Sequence, residues 1–101
     1  MSVRIKVCCI GSGEEAELAV RVGVSAVGLV SAMPSGPGVI DEALIAEIAD
    51  VVPPGVTRVL LTSSTDADQV VSQQRRTRVD AVQLVDRWDA AGRAELRSSL
   101  P

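Results

Sequence analysis

Lys6 and Cys8 stand two residues apart in an apolar run, Val3–Ile10. Residues two apart in a β-strand share a face. A strand here puts Lys6, Cys8 and Ile10 on one side, and Ile5, Val7 and Cys9 on the other. An amine and a thiol on one face can hold and move a proton. The run leads at once into Gly11-Ser12-Gly13-Glu14-Glu15, where Ser12 and Glu15 have the capping-box spacing of a helix start. The mouth of a β-to-α turn is where α/β proteins place reactive groups. The competing reading is that both cysteines are small buried hydrophobes, as cysteines outside disulfides usually are.

A second pattern overlaps the first. Gly11, Gly13 and Ala16 match the G-x-G-x-x-A fingerprint of dinucleotide-binding turns. That fingerprint needs an acidic residue at the end of the second strand, and the chain has Val30-Ser31-Ala32 there. Glu14 and Glu15 also occupy the first helical turn, where their charge would repel a pyrophosphate. A small nucleotide-binding domain is therefore the weaker alternative, and a Gly-rich turn into a capped helix explains the residues as well.

Four short apolar runs must position these groups: Val3–Ile10, Ser25–Val30, Thr57–Leu61 and Ala81–Val85. They are continuous and β-branched, as expected of parallel strands covered on both faces. Helical patterns alternate with them. The first covers Gly13–Val22 and stops at Gly23. The second starts near Asp41, carries Leu44, Ile45, Ile48, Val51 and Val52 on one face, and ends at Pro53-Pro54-Gly55. The third follows the polar cap Ser64-Thr65-Asp66 and runs to about Arg75. The fourth covers Asp89–Leu100. Val24–Val30 recurs as Val79–Val85 with five of seven positions identical, two βα units on. The order βαβαβαβα with right-handed crossovers is expected of one α/β domain, residues 1–101.

Composition narrows the function classes. Net charge is −3, and Arg75-Arg76-Thr77-Arg78 is the main basic cluster. A nucleic-acid partner is not expected, because phosphate recognition demands a basic surface. The Arg run reads as a solvated helix end complementing the dipole. No apolar run approaches the roughly 20 residues of a membrane span, and no secretory h-region opens the chain. Two adjacent cysteines do not make a disulfide framework. A soluble, cytoplasmic protein without membrane contact is expected. The chain has no histidine, the commonest general base and zinc ligand.

The ordered set of motifs resembles the phosphoribosylanthranilate isomerase family of tryptophan biosynthesis. Lys6-Val7-Cys8-Cys9-Ile10 is similar to that family's opening K-x-C-G-I, and Glu14-Glu15-Ala16 to the start of its first helix. Gly23–Val30 resembles its second strand, G-A-D-A-x-G-F-V. Asp80-Ala81-Val82-Gln83-Leu84 resembles D-x-V-Q-L of the fourth, and Glu95–Pro101 the end of the fourth helix. The resemblance implies a (βα)4 half of a TIM (βα)8 barrel. It also implies an Amadori rearrangement of N-(5-phosphoribosyl)anthranilate, a small phosphorylated sugar–anthranilate substrate, to an aminoketose phosphate. By the resemblance Cys8 is the general base at the sugar C2, with Lys6 and Gln83 at the substrate. No cofactor or metal is implied, since proton transfer needs none. The family's general-acid aspartate and phosphate-binding loops belong to its second half. Three departures stand out: Cys9 replaces a glycine, S-P-R appears as Ser35-Gly36-Pro37, and Q-L-H-G as Gln83-Leu84-Val85-Asp86. The chain is thus expected to be inactive alone, with Asp86 its one carboxylate near the fourth strand's end, and to self-associate or pair with a complementary C-terminal half barrel. A noncatalytic half-barrel remnant or interaction module is the alternative.

Overall fold

A computed structural model describes residues 4–31, 33, 38–85 and 90–99. Four strands and four helices alternate: β1 (Lys6–Val7), α1 (Gly13–Arg21), β2 (Ala26–Val30), α2 (Glu42–Val51), β3 (Thr57–Thr62), α3 (Ala67–Thr77), β4 (Ala81–Leu84) and α4 (Ala90–Ser99). The strands form one parallel sheet in the order β1-β2-β3-β4. Principal extents of 39 × 32 × 22 Å describe a slab of one sheet and one helical layer.

The helices cover one face of that sheet. Val27, Leu29 and Leu60 point into a core shared with Ala16 and Ala19 of α1 and Ile45, Ile48 and Ala49 of α2. The other face carries Ala26, Gly28, Thr57, Val59, Leu61, Ala81 and Gln83 by strand parity and register. Val59, Leu61 and Ala81 there are only half-buried, and Gln83 is exposed. This is the concave side, which a complete barrel would enclose.

Helix boundaries follow local chemistry. Ser12 caps α1 by accepting from the Glu15 amide at 3.1 Å. The return bond of a capping box moves one residue upstream, for Glu15 Oε2 accepts from the Gly11 amide at 2.8 Å. Asp41 and Asp66 cap α2 and α3. Gly23 follows α1 at φ 90°, the left-handed conformation glycine tolerates best. On α2, Ile45, Ile48 and Val52 are buried as the pattern requires, but Val51 is 46% exposed.

The internal repeat is structural. The Ser25 amide donates to the Ile5 carbonyl at 2.7 Å, and the Ser25 hydroxyl accepts from the Ile5 amide at 3.4 Å. Two βα units on, the Asp80 amide donates to the Arg58 carbonyl at 2.9 Å, and Oδ2 of Asp80 accepts from the Arg58 amide at 2.9 Å. In both copies a polar side chain entering the even strand clips the strand before it.

The first strand departs from expectation. The run Val3–Ile10 yields a two-residue strand, Lys6–Val7. Cys9 is the reason: its φ of 62° turns the backbone out of the extended conformation and ends the alternation. Ile10 therefore does not share the face of Lys6 and Cys8. It is 4% exposed and lies in the helix-side core, while its amide still reaches the Gly28 carbonyl at 3.2 Å. Cys9 does not face the helices either; it is exposed at the strand mouth.

Candidate functional site

Cys8 keeps its expected side. A Cβ built on Gly28 would lie 3.0 Å from Cys8 Sγ and 3.2 Å from its Cα. The thiol thus lies over the glycine of β2, on the concave face, at the C-terminal end of β1. Glycine inside a strand marks such a close approach. Leu61 flanks the seat from β3, its Cδ1 being 3.2 Å from the same Cβ position. Cys8 is exposed, not a buried hydrophobe.

Lys6 Nζ donates to Oε1 of Gln83. These residues belong to the first and last strands of the sheet. Their contact spans the concave face, so the sheet curls enough for its edges to be bridged by two long side chains. All three sequence-derived site residues, Lys6, Cys8 and Gln83, share that face. Ser35-Gly36-Pro37 and Asp86 lie outside the described residues. Among the described residues no group of three His, Cys, Asp or Glu is placed to hold a metal ion, and no helix is long and apolar enough to cross a membrane.

Two residues at the mouth escape sequence reasoning. Gly28 is the seat of the thiol, and its position inside an otherwise β-branched run is the signal. Gly38 lies against Cys9: a Cβ there would come within 2.7 Å of Cys9 Cβ and 2.8 Å of its Sγ. No local pattern announces that contact, because the two residues meet only through the crossover.

The Gly-rich turn is occupied from within. Glu15 Oε2 takes the Gly11 amide that a bound phosphate would use. The turn serves the helix cap, and the nucleotide alternative has no support in its geometry.

The ion pairs lie away from the thiol. Arg58, at the N-terminal end of β3, makes two side-chain hydrogen bonds to Asp80, at 2.9 and 3.1 Å, and a third to the Ala49 carbonyl at 3.1 Å. Its guanidinium holds the Asp80 carboxyl below the usual aspartate range. The basic run is tied to α2: Arg76 pairs with Glu42 at 2.7 Å and Arg78 with Asp50 at 2.8 Å. The Arg58–Asp80 pair lies at the N-terminal strand ends, where barrels place stability, whereas Glu42 opens α2 and is joined through Gln73 to Thr62 at the end of β3.

Fold and site together define a (βα)4 half of a TIM (βα)8 barrel with a thiol at the mouth of its first strand. No family model matches the chain. N-(5'-phosphoribosyl)anthranilate isomerase of Halorubrum lacusprofundi is 36% identical to it over 86 residues, 84% of this chain and 40% of that protein. The solved phosphoribosylanthranilate isomerase of Thermotoga maritima superposes with a TM-score of 0.87 at 25% identity, covering 98% of this chain and 48% of that one. Another such structure, with the same TM-score and identity, holds reduced 1-(o-carboxyphenylamino)-1-deoxyribulose 5-phosphate and is covered to 50%. The chain is thus similar in sequence and fold to phosphoribosylanthranilate isomerases. It spans about two fifths of the length of the curated relatives it matches, and about half that of the solved chains.

Proposed function

We propose that this chain is the N-terminal half of a phosphoribosylanthranilate isomerase that works in tryptophan biosynthesis. Cys8 acts as the general base, taking the C2 proton of the imine-activated sugar. Lys6 and Gln83 contact the substrate, a sugar phosphate joined to anthranilate. The observation that carries this reading is the Cys8 thiol seated over Gly28 on the concave face. A base there faces the space that a barrel-bound substrate occupies. The acid that protonates the ring oxygen and the phosphate site come from a second (βα)4 half, which closes the barrel as the partner.

The reaction needs base and acid held together around one substrate, and joint positioning supplies much of the rate. The test is growth of a tryptophan auxotroph lacking this isomerase. The chain alone should not restore growth; the chain with a matching C-terminal half should. Cys8→Ala should abolish that rescue. Rescue by the chain alone, or by halves carrying Cys8→Ala, would overturn the assignment.

A further inference from the structure

Cys9 adopts a left-handed conformation, φ 62°, that disfavours any side chain. Strain of this kind persists where the surroundings hold it. What holds it here is Gly38, itself at φ 81° and packed so closely that a Cβ would meet Cys9 Cβ, Sγ and Cα at 2.7, 2.8 and 3.0 Å. Immediately after Gly38 the chain rejoins the sheet. Val39 bridges Val30 in parallel fashion, and the Ile40 amide donates to the Val30 carbonyl at 3.0 Å. Cys9 and Gly38 are thus complementary: the side chain comes from the end of the first strand and the space from the returning segment.

We propose that Cys9 is a positioning residue that fastens the returning segment 38–40 over the mouth of β1, and so fixes the wall beside Cys8. Its functional consequence rests on the reading of Cys8 as the reacting thiol; the fastening itself does not. The Cβ and Sγ of Cys9 both border the space at Gly38. Cys9→Gly removes both the strain and the contact. The loss of the contact acts on the returning segment and not on the sheet, whereas a general loss of stability would affect both.

Amide hydrogen exchange on the full chain tests this. In Cys9→Gly, the Ile40 amide should exchange faster by about tenfold, the loss expected when one segment opens locally. The Leu29 and Leu60 amides in the sheet should stay unchanged or slow. Gly38→Ala should accelerate Ile40 more in the Cys9 chain than in the Cys9→Gly chain, where the clash with the side chain is gone and only the strain of alanine at φ 81° and the approach of the residue 9 Cα remain. Equal effects of Gly38→Ala in both backgrounds would overturn the proposal. So would an unchanged Ile40, or Ile40 and sheet amides that accelerate together. These readouts need no turnover. A failed isomerase reading shows instead as barrel activity that survives Cys8→Ala, with the exchange pattern intact.

Discussion

At the scale of single residues, the two cysteines differ in surroundings rather than in exposure. Both are exposed. Cys8 opens onto the concave face, whereas Cys9 is pressed against Gly38. An alkylating reagent needs room around sulfur, so Cys8 should be carboxamidomethylated faster than Cys9 near neutral pH. Peptide mass spectrometry over a time course measures both rates in one sample. Equal rates, or faster labelling of Cys9, would contradict the placement of the two side chains. The seat beneath Cys8 makes a second prediction. Gly28→Ala inserts a methyl 3.0 Å from Sγ and 3.2 Å from the Cys8 Cα and Leu61 Cδ1. Overpacking against backbone and a branched side chain should destabilise the chain by about 1–3 kcal/mol. A lowered urea midpoint, with an altered Cys8 labelling rate, checks it. The site was legible at this scale in part. The placement of Lys6 and Cys8 on one face follows from strand alternation, whereas the bond between Lys6 and Gln83 does not. The positive φ of Cys9 was not legible, because a residue standing where relatives carry glycine reveals a substitution but not whether the backbone keeps the glycine's conformation.

At the scale of elements, the sequence reading located every strand and helix and failed mainly at β1. Among the described residues that strand has one partner, and its last residues turn at Cys9, so an eight-residue apolar run becomes a two-residue ladder. Apolar composition reports burial, not pairing: Ile10 is buried as a hydrophobe should be, yet among helices instead of on the concave face. The repeat was legible as identity between Val24–Val30 and Val79–Val85. Its meaning was not, because Ser25 and Asp80 differ in type while accepting from equivalent amides. The Asp80 copy is the stronger clip, reinforced by the Arg58 guanidinium. That charge lowers the carboxyl pKa in the folded chain, so the folded state binds fewer protons than the unfolded state as pH falls. The resulting stability is present above the unfolded aspartate value of about 3.9 and is lost as pH drops through the lower folded value. Asp80→Asn should lower stability at pH 7 by about 1 kcal/mol, a figure reduced for solvent screening of a half-exposed pair. It should also remove part of the steepening below pH 4. Urea titrations at pH 7 and pH 3 measure both effects. A difference between the two chains that is the same at both pH values would show that the ion pair is not linked to folding.

At the scale of the whole molecule, a curled sheet with one covered face leaves two problems for a lone chain. Among the described residues no strand lies beside the outer edges of β1 and β4, and unpaired edges invite pairing with another chain. The concave face offers Val59, Leu61 and Ala81 only half-covered, with Val85 exposed at 44%. Apolar surface of this kind marks an interface when it is contiguous. Lys6 and Gln83 reach across the opening, but a single side-chain bridge cannot satisfy two rows of backbone groups. The 101-residue chain is therefore expected to self-associate in solution. On the proposed reading, a matching C-terminal half would supply strands for both edges and apolar residues for the concave face together. Adding it should replace the self-associated species with a one-to-one complex, and bring Cys8 into register with an acid across the substrate. Sedimentation velocity over a range of concentrations, with and without the second half, follows both steps. Isomerase turnover should rise with the one-to-one complex and not with the self-associated chain. Within that complex Cys8→Ala should reduce turnover by about 10²–10⁴-fold, the usual contribution of a positioned general base. Cys9→Ala should leave most of it. A compact monomer that unfolds cooperatively without the second half would mean that the open edges are already protected, and the half-barrel account of assembly would fail.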